Sequence, residues 1–153
     1  MKANSNIKID APAKTVFLWL EDADRLRQWV PNIIEDEALI ETPDKVGSTF
    51  RQVYLENGKE MEMFGEITEY IQDKSMRVDI KGDMFDLDVA YTVNETGPAQ
   101  SELTQNTIIK FKGIMKLFSP VFSLISMFKS GSPQDESLAK LKDFAEAEHG
   151  SGG

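Results

Sequence analysis

The chain has 153 residues, no cysteine, one histidine (His149) and 26 acidic against 17 basic side chains, for a formal charge of −9. The length suits one domain with a core of its own, and the absence of cysteine excludes disulfide frameworks, thiolate metal sites, iron–sulfur ligation and thiol catalysis. A single late histidine leaves no basis for a multi-His metal site and little for a Ser-His triad, and so acidic a chain repels phosphate backbones, so that neither a metal or cofactor nor nucleic acid is expected.

Residues 1–10 carry no apolar run and no cleavage pattern, which reads as a cytoplasmic protein. Ile7 and Ile9 alternate within a short strand over 6–10. Asp10-Ala11-Pro12 then starts a helix, with Val16, Phe17 and Leu20 at helical spacing. Asp22 can cap a second short helix through Leu26, Trp29 and Val30, which Pro31 stops. From Ile33 to Lys112 the period changes to two. The expected strands are 34–41, 48–56, 59–72, 75–81, 84–94 and 101–112. Asn57-Gly58 is a strong hairpin signal, because both central residues of a type I′ turn need positive φ. Asp73-Lys74 and Gly82-Asp83 read as further tight turns, and Gly97-Pro98 lies in a longer loop.

After Gly113 the helical period returns. Leu117, Val121 and Ile125 fall on one stripe of a helix over 114–128, and Gly131 breaks it. Ser132 then serves as N-cap of a helix to Glu148, with Asp135 in the capping-box position. The whole of 1–148 reads as one domain, with a flexible tail over 149–153.

One strand, two short helices, six strands in a meander and a long C-terminal helix make an α+β layout. The chain resembles the START-like, helix-grip (SRPBCC) superfamily, and within it the polyketide cyclase/dehydrase-like group. Three segments carry the resemblance: Ile9-Asp10-Ala11-Pro12-Ala13-Lys14-Thr15-Val16-Phe17, Arg25-Leu26-Arg27-Gln28-Trp29-Val30-Pro31 and Val46-Gly47-Ser48-Thr49-Phe50. It implies a curved seven-stranded antiparallel sheet wrapped around a long C-terminal helix. It also implies a cavity between them for lipids, hormones, quinones or polyketides.

Hairpin arithmetic assigns faces, because turn geometry fixes register. With Asn57-Gly58 as the turn, Tyr54 faces Met61 and Gln52 faces Met63. A turn at Asp73-Lys74 sets Val78 opposite Glu69, and one at Gly82-Asp83 sets Leu87 opposite Val78. The inner face then carries Phe50, Gln52, Tyr54, Met61 and Met63, followed by Glu69, Val78, Leu87 and Tyr91, and then Gln105 and Thr107. The outer face carries carboxylates and bases, with Arg77–Asp88 and Lys81–Glu66 as expected pairs on a solvated surface. With Leu117, Val121 and Ile125, the inner set is the candidate ligand-binding surface. Met61, Met63 and Met76 suit a lining that adapts to apolar shapes, whereas Met84, of outer parity, suits core filler.

Polar groups on an otherwise apolar face fit a ligand pocket with a few placed polar contacts. Alternatively, Tyr91 and Gln105 pair with each other, Tyr54 reaches solvent at a rim, and Glu69 lies in water near a turn. Three functions compete. The first is a carrier or sensor of a hydrophobic small molecule. The second is a cofactor-free cyclase or hydratase, with Glu69 as acid or base and Tyr54 or Tyr91 as donor to a developing enolate. The third is a membrane- or protein-associated module using the apolar run 114–128, with Phe122, Leu124 and Met127 as its exposed side. Four lysines and no acid over 103–130 contrast with 17 acids and six bases over 35–102, which favours a non-aqueous neighbour for that run. The run is too short to span a bilayer, which takes about 20 apolar residues.

Overall fold

Six of the seven strands follow one another along the chain and pair in that order, and the first strand returns to the far side of the last. The computed structural model describes residues 2–30, 32–56, 58–113 and 133–151. In chain order they form β1 (Lys2–Ile9), α1 (Ala13–Glu21), α2 (Ala23–Trp29), β2 (Ile33–Ile40), β3 (Thr49–Glu56), β4 (Lys59–Ile71), β5 (Ser75–Lys81), β6 (Phe85–Gly97), β7 (Gln100–Phe111) and α3 (Pro133–Ser151). The sheet runs β1-β7-β6-β5-β4-β3-β2, antiparallel throughout. The helix expected over 114–128, its break at Gly131 and the Ser132 cap lie outside the described residues.

Local chemistry sets the helix ends. Pro12 stands at the start of α1 with extended backbone, and its carbonyl accepts from the Thr15 and Val16 N–H groups. Asp22 ends α1 with its own extended backbone and caps α2, its carboxylate accepting from the Asp24 N–H. Asp135 and Glu136 place negative charge in the first turn of α3, where the helix dipole favours it. That helix continues through His149 to Ser151, past the expected end at Glu148. The first strand is also longer than its sequence suggests. Lys2–Asn6 lack an apolar pattern, yet Lys2 pairs with Ile108 and the ladder continues to Ile9 and Ser101.

The core lies where α1, α2 and α3 meet the sheet. Phe17, Val16, Trp29, Leu103, Leu138 and Leu141 are among its fully buried side chains. Burial of each large apolar side chain contributes about 1.5–3 kcal/mol. Trp19 stacks on Phe144 with centroids 5.0 Å apart, and its indole N–H donates to Glu148 at 2.9 Å. Arg25 reaches the same Glu148 at 2.9 Å and lies over the Trp19 ring, which ties α2 to the C-terminal helix.

The registers bear out one hairpin expectation and correct two. Across β3 and β4 the pairing is as the Asn57-Gly58 turn requires: Gln52 faces Met63, Tyr54 faces Met61, and Gly58 has φ +79°. Across β4 and β5 it is not. The turn takes an extra residue, with Asp73 at φ +62°, and the ladder slips between Ile67 and Glu69. A bulge at Thr68 reverses the facing on either side of it. Val78 therefore faces Ile67, while Glu69 sits opposite Arg77 on the outer surface. Tyr70 takes the inward place. Across β5 and β6 the pairing is shifted by two, so that Ile80 faces Leu87 and Met76 faces Tyr91. A shift of two preserves the facing, so Leu87, Val89 and Tyr91 still point inward.

The outer surface is rearranged by these slips. Lys81 does not meet Glu66; it lies opposite Phe64 and Asp86 and approaches Asp79 at 3.8 Å. Arg77 does grip Asp88, at 2.9 and 2.6 Å, but diagonally, because the two are not direct partners. That contact lowers the Asp88 pKa, through the hydrogen bond first. Met84, expected as core filler, is exposed in the β5–β6 connection.

Candidate functional site

The inner face of the sheet, the helices α1 and α2, and the first turns of α3 border a cavity of about 800 Å³. Phe50, Gln52 and Tyr54 of β3 form one wall. Val78 of β5 and Leu87 and Tyr91 of β6 form the floor, and Gln105 and Thr107 of β7 close the far side. Phe50 is placed by a glycine: a Cβ on Gly65, its cross-strand partner, would clash with the Phe50 ring.

Other expected lining residues lie elsewhere. Met63 is buried against Gly82 and joins the core beyond the cavity wall, and half-buried Met61 packs against the same core. Glu69 is absent from the wall; its side chain is 65% exposed, with Arg77 at 3.7 Å. Leu117, Val121 and Ile125 lie outside the described residues, as do Phe122, Leu124 and Met127.

Several wall residues escaped the sequence reading. Trp29 and Leu26 of α2 line the cavity, as do Asp36 of β2, Tyr70 of β4 and Gln134 of α3. Tyr70 donates to Glu21 of α1, and its ring meets Phe17 edge-on at 5.6 Å. Its inward direction is set by the bulge at Thr68, which alternation cannot reveal. Asp36 was hidden by the run Glu35-Asp36-Glu37 in an edge strand, whose burial pattern does not alternate cleanly.

Besides the Tyr70–Glu21 pair, two hydrogen-bonded sets stand at opposite ends of the wall. At one end the Tyr54 hydroxyl donates to Gln52 Oε1 at 2.6 Å, and Gln52 Nε2 donates to Asp36 Oδ2 at 3.3 Å. Gln52 is only 4% exposed, so this chain satisfies a group that would otherwise be orphaned. At the other end Gln134 accepts from Thr107 at 2.9 Å and from Gln105 at 3.4 Å, and donates to Ser5 at 2.8 Å. Tyr91 stands directly opposite Gln105 in the ladder. The Gln105 amide nevertheless turns to Thr107 and Gln134, and the Tyr91 hydroxyl has no hydrogen-bond partner among the described residues.

Burial dominates the ionisation of these groups. It pushes the Tyr91 phenol up, and it does the same to Tyr54, where Tyr91 and the charge of Asp36 add to it. Both therefore remain neutral donors. Burial also raises the Asp36 carboxyl, opposed by the Gln52 hydrogen bond and by Arg27. A carboxyl raised on folding binds more protons when folded than when unfolded, so ionising it costs stability as pH rises from its ordinary range through the folded value. Asp36→Asn, which keeps an acceptor for Gln52, should therefore raise the urea midpoint at pH 7 and leave it unchanged at pH 3. An equal shift at both pH values would mean that Asp36 carries no such cost.

An apolar floor, with polar groups held at its ends and charged ones at its border, suits a lipophilic guest. Among the described residues no cluster of three or more His, Asp or Glu could hold a metal ion, and no helix is long and apolar enough to cross a membrane.

No protein-family model and no curated protein matches the sequence. Solved structures do match its fold. The Zhui aromatase/cyclase of a Streptomyces species superposes with a TM-score of 0.79 at 10% identity, over 97% of this chain and 94% of that one. A Thermus thermophilus protein gives 0.76 at 14% identity, over 96% and 98%. A START superfamily protein of Mycobacterium smegmatis gives 0.72 at 17% identity, over 99% of both chains. The strand order, the paired helices between β1 and β2, and the C-terminal helix are thus those of the START-like, helix-grip fold.

Proposed function

We propose that the chain binds a hydrophobic small molecule, such as a lipid, quinone or polyketide-like compound, in this cavity and acts as its carrier or sensor. The observation that carries the reading is the cavity of about 800 Å³ between sheet and helices, floored by the apolar side chains of Val78, Val89 and Leu87, with its polar groups gathered at the two ends and its carboxylates along the border. The presence of a START protein and an aromatase/cyclase among the similar folds supports it. If a guest buries on the order of 300 Å² of apolar surface, transfer contributes roughly 7 kcal/mol. Association costs of several kcal/mol remain to be subtracted, which points to weak or micromolar binding suited to transfer or sensing. A cyclase or hydratase built on Glu69 loses its acid–base group, because Glu69 lies on the outer face.

The test is native mass spectrometry of the purified protein together with titration of an uncharged apolar dye. The expected results are a co-purified apolar mass and saturable dye uptake. Ile67→Trp, which adds bulk at the wall opposite Val78, should abolish uptake with the far-ultraviolet spectrum unchanged. Absence of both the mass and saturable uptake in the unmodified protein would overturn the proposal.

A further inference from the structure

The charge around the cavity and an unpartnered donor among its described residues restrict the guest further. Three carboxylates, Glu21, Glu41 and Glu136, stand exposed at its border, and three more, Asp22, Asp36 and Glu56, are half-buried along it. The described lining residues supply two bases against these six acids, Lys45 and Lys140. Two arginines stand nearby. Arg25 is held by Asp22 and Glu148, and Arg27, which bears on Asp36, donates to the Ile34 carbonyl at 3.1 Å. An anion entering this surface gives up hydration and meets a negative potential, which a wall of low polarity screens poorly.

The donor is Tyr91. Its ring is part of the wall, its hydroxyl finds no partner among the described residues, and its cross-strand neighbour Gln105 is engaged elsewhere. The Tyr54 hydroxyl, by contrast, is already spent on Gln52. A hydroxyl on the cavity wall without a partner among the described residues favours any guest that brings an acceptor to it.

Resting on the binding role proposed above, we infer that the cavity selects uncharged apolar molecules that carry an acceptor oxygen, a ketone or quinone carbonyl, for Tyr91, and turns away carboxylates, sulfonates and phosphates. Apolar bulk gives the affinity, the Tyr91 hydroxyl reads the oxygen, and the acidic border supplies the discrimination against anions.

Two probes with one apolar body test the charge rule: N-phenyl-1-naphthylamine, which is neutral, and its 8-sulfonate. At low salt the neutral probe should bind at least about tenfold more tightly, and the gap should narrow toward 0.5 M salt as screening shortens to a few ångströms. Equal affinities at low salt would overturn the charge rule. Displacement of the neutral probe by 1-tetralone and by tetralin tests the donor. The ratio of their affinities should shift about fivefold against the ketone in Tyr91→Phe, the effect of one hydrogen bond. The thermal midpoint of Tyr91→Phe should not fall, since its hydroxyl has no partner among the described residues to lose. An unchanged ratio, or a lowered midpoint, would remove Tyr91 as the reader of the oxygen. If neither probe binds and no apolar mass co-purifies, the binding role itself falls, and the selectivity rule falls with it.

Discussion

Trp29→Ala should lower the unfolding free energy by about 3–5 kcal/mol, the range for truncating a large buried aromatic side chain. Trp29 is 1% exposed and belongs to the central core, and it is also part of the cavity wall. Its indole N–H donates to the Trp19 carbonyl at 2.8 Å, which fixes the end of α2 against α1. Truncation removes the packing and the hydrogen bond together and opens the cavity toward α1. Trp29→Phe keeps most of the volume and should cost about 1–2 kcal/mol, largely through the lost donor. Urea unfolding can be followed through Trp19, the other tryptophan, whose own contacts to Phe144 and Glu148 are separate. A loss below 1 kcal/mol for the alanine variant would mean that α2 is not held by this side chain.

How legible the site was depends on where parity survives. The Asn57-Gly58 turn fixed β3 against β4 without error, so Phe50, Gln52 and Tyr54 could be placed from the residue pattern alone. The β5–β6 pairing was shifted by two residues, yet Val78, Leu87 and Tyr91 kept their facing, because side chains alternate with a period of two. The single-residue bulge at Thr68 was different. It exchanged Glu69 for Tyr70 on the inner face, and so moved the sharpest acid–base candidate out of the cavity. Bulges leave no mark in alternation when the flanking residues, here Ile67, Glu69, Tyr70 and Ile71, can satisfy either parity. The helical contributions were invisible for another reason. Trp29 and Gln134 line the cavity only because α2 and α3 are docked at particular angles, and docking arises from tertiary contacts such as Trp19 on Phe144 and Arg25 on Glu148. Periodicity marks the buried stripe of a helix but not the strand beneath it.

Gln134→Ala should cost about 2–4 kcal/mol, more than a polar residue in the first turn of a helix ordinarily carries. Gln134 is 4% exposed and Thr107 only 2%. One amide bridges α3 to two strands: it accepts from Thr107 and Gln105 of β7 and donates to Ser5 of β1, which itself donates to Asp135 at 2.6 Å. Truncation strands the Thr107 hydroxyl in a buried wall and cuts α3 from the sheet at the cavity's edge. Thr107→Val alone should cost about 1 kcal/mol, because Gln105 still serves the Gln134 carbonyl. In the double variant Gln134→Ala, Thr107→Val the stranded donor is gone, so the combined loss should be smaller than the sum of the two single losses. The cycle is read from urea midpoints with the denaturant slope held constant. Strict additivity would show that the two side chains act independently, and that α3 is held over the cavity by its apolar face, Leu138, Leu141 and Ala145, rather than by this buried amide.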